Sequence, residues 1–149
     1  MTVVQVSLEV DAPPERVWGV VADPNNLPAW DRHIVKVADV PKGGLRKGST
    51  YTTELRFLGA RARTLMKVVE LEEAEHSKVE MHGIVDGVVE TWLEPLDGGR
   101  RTHLRHRVEY RFKGGPLGEI AARAVGALGA GMILRRGATA QKRQAESWS

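Results

Sequence analysis

Near the start of the chain, apolar and polar positions alternate. Val4, Val6, Leu8 and Val10 are apolar while Gln5, Ser7 and Glu9 are polar, the two-residue period of a half-buried strand. The pattern then changes. Asp11 is placed to N-cap a helix, with Pro13 and Pro14 just inside it and Glu15 and Arg16 following. Val17, Val20 and Val21 would share the buried face of that helix, and "DPNNLP" should end it, because a residue before proline is pushed out of helical geometry. From His33 to Phe112 the pattern is strand-like: "HIVKVADV", "STYTTELRFL", "RARTLMKVVEL", "SKVEMHGIV", "GVVETWLEPL" and "RTHLRHRVEYRF". The turn signals "PKGG", "LGA", "EEAEH", "VDG" and "LDGG" separate them. Six strands joined by short turns predict an antiparallel meander. After "KGGP", Leu117, Ile120, Ala121, Ala124, Leu128 and Met132 fall at helical spacing and predict one long last helix. Its glycines at 126, 129, 131 and 137 mean that it kinks or that it needs small side chains for space.

With 149 residues the chain is expected to form one domain over 1–149, and 42% hydrophobic against 28% charged residues is a globular balance. It has no cysteine, which excludes disulfides, thiolate zinc sites, iron–sulfur clusters and cysteine nucleophiles. The first residues offer neither the basic nor the long apolar region of a signal peptide, so a cytoplasmic location is expected. The most apolar long window, Ile120 to Leu134, is interrupted by Arg123 and is shorter than a spanning helix needs, so no stable membrane insertion is expected. The net charge is +3. Its excess lies in "GGRRTHLRHRVEYRFK" and "RRGATAQKRQ", a solvated outer face and a basic last helix unless an anionic partner binds there.

Familiar chemical motifs fail. His103 and His106 are three apart, which would chelate a metal on a helix but sends them to opposite faces of a strand, so no metal site is expected. "GALGAG" has the wrong glycine spacing and lies within a helix rather than between strand and helix. There is no G-x-S-x-G elbow and no P-loop, and no cofactor is expected.

The inner face is where chemistry should sit. On the last strand Leu104, His106, Val108, Tyr110 and Phe112 share one face, and Arg101, His103, Arg105, Arg107, Glu109 and Arg111 the other. The same alternation turns Tyr51, Thr53, Leu55 and Phe57, then Val79 and Met81, then Val89, Thr91 and Leu93 inward, with Leu128 and Met132 facing them from the helix. If Asp97–Gly98 form a two-residue hairpin turn, Glu94 lies opposite Arg101, Glu90 opposite Arg105 and His106 opposite Val89, which makes the outer face charge-complementary. A slip of one residue would bury Glu90 beside His106 and expose Val89 and Leu93. Only two Phe and two Tyr are present, which favours a roomy interior.

The strand, the "DAPPERVW" helix, "ADPNNLPAW" ending in Trp30, Gly48 before the third strand, "TWLEPLDGG", the meander and the final helix together resemble the START-like or Bet v 1-like superfamily. Within it the chain is similar, over its whole length, to the polyketide cyclase/dehydrase family of small bacterial proteins. The resemblance implies an α+β helix-grip fold: a curved antiparallel seven-stranded sheet wrapped around a long C-terminal helix, with two short helices after strand 1 and a hydrophobic tunnel between sheet and helix. It implies a hydrophobic small-molecule ligand, a lipid, polyketide or similar, and places Trp30 near the mouth. The expected ligand-binding residues are therefore Trp30, Tyr51, Thr53, Leu55, Phe57, Met81, Val89, Thr91, Leu93, His106, Tyr110, Leu128 and Met132.

Cyclase or dehydrase activity is left open. His106 as general base and Tyr110 as oxyanion partner would be its catalytic pair, while the inner face supplies no arginine of the kind the family's aromatase/cyclases use. The alternative is an interaction module that meets RNA, the ribosome or a membrane quinone system through the outward positions of the last strand, Arg101, Arg105 and Arg107 among them, together with Arg135, Arg136, Lys142 and Arg143. Internal pairing with Glu90, Glu94 and Glu109 is the cheaper explanation of those charges, so no nucleic acid is expected. A homodimer is left open.

Overall fold

The computed structural model describes residues 2–147, apart from the side chains of residues 127 and 128. The alternating opening segment forms β1 (Thr2–Val10), followed by α1 (Pro14–Val21), a single 3-10 turn and the four-residue α2 (Leu27–Trp30). Six strands follow: β2 (Ile34–Ala38), β3 (Thr50–Phe57), β4 (Ala60–Glu72), β5 (His76–Gly83), β6 (Val85–Leu96) and β7 (Arg101–Phe112). The last two elements are α3 (Pro116–Leu128) and α4 (Ala130–Glu146). All seven strands form one antiparallel sheet in the order β1-β7-β6-β5-β4-β3-β2. Among the described residues no single helix is long and apolar enough to cross a membrane.

Two local expectations are corrected. Asp11 does not cap α1. Pro13 occupies the cap position without a side-chain hydrogen bond, and Pro14 begins the helix, where a missing N–H costs nothing. Asp11 instead donates its backbone N–H to Glu146 Oε2 (2.7 Å), fastening the end of α4 to the end of β1. Burial alone would raise the Glu146 pKa, but this bond and the Lys142 ammonium hold it below the ordinary value.

The last helix is broken, one of the two outcomes its glycines allow. Gly129 adopts φ +81°, a conformation that is strained for residues with a Cβ, and α4 restarts beyond it. α3 packs on both β7 and β3, strands near opposite edges of the sheet, so the sheet must curl around it. Register irregularities at Ile34/Lys36 and Val68/Glu70 supply bends of the kind bulges produce. α4 packs on β1, α1 and α2.

The apolar interior is divided into three clusters, where a domain commonly has one continuous core. One lies beneath α1 and the end of α4 (Val10, Val17, Val20, Trp30, Leu93, Leu104, Ala145), one against α3 (Leu55, Phe57, Val85, Ala121, Ala124), and one on β3 and β4 (Tyr51, Met66, Val68).

The β6–β7 backbones approach closely at Gly87, opposite Tyr110. A Cβ there would lie 2.0 Å from the Glu109 carbonyl oxygen and 2.8 Å from the Tyr110 Cα. Gly87→Ala is expected to destabilise the protein by about 2–3 kcal/mol through forced backbone displacement, read as a lower urea midpoint. An unchanged midpoint would mean that the strands are not this close.

Candidate functional site

The three clusters surround a cavity of about 310 Å³ between the sheet and α3–α4, within the usual range for small-molecule sites. Strand alternation places its wall as expected. Tyr51, Thr53, Leu55 and Phe57 of β3, Val79 and Met81 of β5, Val89 and Thr91 of β6, and His106, Val108, Tyr110 and Phe112 of β7 all line it, and Trp30 joins them from α2.

Two expected residues fall elsewhere. Leu93 is buried but packs into the cluster beneath α1, opposite Leu104, because that end of the inner face is covered by helices. Met132 is 51% exposed: the break at Gly129 resets the helical phase, so Ile133, Leu134, Gly137, Ala138 and Gln141 face the cavity in its place. Leu128 lies outside the described residues.

The expected hairpin register is also corrected. The β6–β7 connection is the four-residue segment Asp97–Arg100, with Leu96 paired to Arg101, so the pairing is two residues out from that of a two-residue turn. An even shift preserves the faces, and Val89 and Leu93 stay inside. On the outer face Glu90 lies opposite Arg107 and Glu94 opposite His103. Arg101 pairs instead with Glu9 (3.0 Å), and Arg105 stacks on Trp92, 4.1 Å from the ring centroid. On the inner face the shift sets Thr91, not Val89, against His106.

That placement builds a buried polar chain. Thr91 Oγ1 is 2.8 Å from His106 Nδ1, and His106 Nε2 is 2.6 Å from Gln141 Oε1 on α4. With the amide oxygen accepting, Nε2 carries the ring proton and Nδ1 accepts the Thr91 hydroxyl proton. Burial lowers the His106 pKa, opposed only in part by the Gln141 bond, so the ring is neutral at neutral pH. Both nitrogens are committed to the protein. Tyr110 is four residues along the same strand, roughly 13 Å away at Cα, so the two side chains do not meet at one carbonyl. Tyr110 packs edge-on against Phe112, ring centroids 5.5 Å apart.

The expected wall omitted β4, whose alternating Thr64 and Met66 face inward, and Asp31, His33 and Ile34 beside α2. It also omitted Gln141, whose amide holds the His106 ring. A glutamine among Gly137, Ala138 and Ala145 on an apolar helical face is its sequence signal. On the outer face, the consecutive strands β4, β5 and β6 gather Glu70, His76 and Glu90, with donor atoms within 4.8 Å of one another, a grouping that depends on the strand register. His76 Nε2 is 2.7 Å from Glu90, and Lys78 pairs in register with both Glu70 and Glu90, so this group forms part of a cross-strand charge ladder.

The fold, a curved antiparallel sheet packed against C-terminal helices, is shared with several solved structures. A START superfamily protein from Mycobacterium smegmatis superposes with a TM-score of 0.72 at 18% identity, covering 99% of each chain. A conserved protein from Geobacillus kaustophilus gives 0.75 at 16% identity, covering 97% of this chain and 95% of the other. The Zhui aromatase/cyclase from Streptomyces sp. R1128 gives 0.67 at 17%, covering 95% and 94%. No curated protein sequence matches. The family model "Polyketide cyclase / dehydrase and lipid transport" matches residues 1–146, and the chain belongs to that family.

A buried neutral histidine has a signature in pH. The unfolded chain takes up a proton near the ordinary value of 6.5, whereas folded His106 takes it up only at lower pH. The resulting stability is intact above pH 6.5 and is lost as pH falls below it. The urea midpoint of the wild type should therefore fall more steeply between pH 7.5 and 5.5 than that of His106→Gln. Parallel profiles would contradict a neutral buried ring.

Proposed function

We propose that the protein binds a hydrophobic small molecule, a lipid, a polyketide or a compound of similar character, in the cavity between the sheet and α3–α4. The observation that carries this is a core split into three clusters around an apolar space, in a chain whose interiors are otherwise expected to close-pack. Membership of a family described by polyketide cyclisation and lipid transport supports it. Ten of the expected ligand-binding residues, Trp30, Tyr51, Thr53, Leu55, Phe57, Met81, Val89, Thr91, His106 and Tyr110, form part of the proposed binding wall.

The geometry supports binding more directly than a His106–Tyr110 catalytic pair, since the ring nitrogens are engaged and the two residues are far apart along β7. The basic-surface alternative gains little support. Arg101, Arg105, Arg107 and Lys142 are already held by Glu9, Trp92, Glu109 and Glu146, contacts that an anionic partner would have to replace.

The test is a cavity-filling substitution. Val89 lines the middle of the space, paired with Val108. The neutral fluorescent probe N-phenyl-1-naphthylamine should bind the wild type one to one, and Val89→Phe should weaken it at least about tenfold while leaving the circular dichroism spectrum unchanged. Equal binding by a folded Val89→Phe would place the probe elsewhere and defeat the proposal.

A further inference from the structure

The charges and free hydrogen-bonding groups of the wall determine what kind of molecule it accepts. Among the described lining residues none is a lysine or arginine. The ionisable groups are Asp31, His33, His106, Tyr51 and Tyr110. Asp31 Oδ1 accepts from both the backbone N–H and Nδ1 of His33, each at 2.9 Å, so that carboxylate is turned to its neighbour. His106 is neutral and its ring nitrogens are engaged by Thr91 and Gln141. A carboxylate or phosphate entering this space would lose its water and meet no cation, an uncompensated desolvation.

Tyr51 is the complementary feature. Its side chain is 5% exposed and lines the cavity, and its hydroxyl has no hydrogen-bond partner among the described residues. Burial pushes its pKa up to about 12, so it remains a neutral phenol, able to donate a hydrogen bond to an oxygen acceptor. Among the described residues the fully buried side-chain polar atom without a partner is Thr64 Oγ1; the Tyr51 hydroxyl is not sealed off in this way, so its donor is accessible to an acceptor bound in the cavity.

We propose that the cavity selects an uncharged ligand, an apolar body bearing a carbonyl, ether or hydroxyl oxygen that accepts a hydrogen bond from Tyr51, and that it rejects carboxylates of the same shape. This rests on the ligand-binding reading above and adds the chemical class of the ligand.

Three compounds of one skeleton test it by displacement of N-phenyl-1-naphthylamine at pH 8: naphthalene, 2-acetylnaphthalene and 2-naphthoate. The ketone should bind at least about tenfold more tightly than the carboxylate. Tyr51→Phe should weaken the ketone about three- to tenfold, a range typical of a lost neutral hydrogen bond, and leave naphthalene unchanged. If the probe itself does not bind, the ligand-binding reading falls and this proposal with it. If the probe binds but naphthoate competes as well as the ketone, charge selection alone is overturned. If Tyr51→Phe weakens naphthalene and ketone equally, the hydroxyl's role is overturned.

Discussion

The chain of hydrogen bonds from the Thr91 hydroxyl through the His106 ring to the Gln141 amide joins β6 and β7 to α4, and the rest of the interior is organised around it. A helix held to a sheet only by apolar contact gains by sliding until the space between them closes. A polar chain of fixed length, buried and engaging both ring nitrogens of His106, resists that collapse, because breaking it would strand donors and acceptors away from water. The helix is thus held by its polar contact at Gln141 and by the cluster around Trp30 and Ala145, while Ile133 and Leu134, nearer the break, face open space.

Residue size does the complementary work. The faces of α3 and α4 turned to the sheet carry Ala121, Ala124, Gly137 and Ala138, which pack closely without filling the middle. Gly129 lets the helix change direction, so that α3 closes the curl between β3 and β7 while α4 runs along β1. Cavity and break therefore have one origin, a C-terminal segment rich in small residues packed against a curved sheet.

Much of this was legible in the sequence, for a physical reason: strand alternation has a period of two, so the face of every wall residue on β3, β5, β6 and β7 follows from its parity. Errors arose where parity does not decide. The length of the Asp97–Arg100 turn moved the β6–β7 pairing by an even number, leaving the faces intact but exchanging Val89 for Thr91 as the partner of His106. Met132 turned outward because a helix interrupted by glycine does not keep its phase across the break. Leu93 faced inward as expected and still missed the cavity, since position along a strand, unlike facing, depends on what tertiary packing covers. The role of Gln141 is not legible in the sequence because the residue sits on α4, 35 residues from the histidine it meets, and that role exists only once the sheet has curled.

The most direct test of a largely apolar space held open between sheet and helix is a crystal pressurised with xenon, which enters apolar cavities and avoids polar ones. The account predicts ordered xenon bounded by Val89, Val108 and Ile133, with the Thr91–His106–Gln141 chain undisturbed beside it. A crystal in which α4 lies directly on these valines, with no xenon between them, would contradict it.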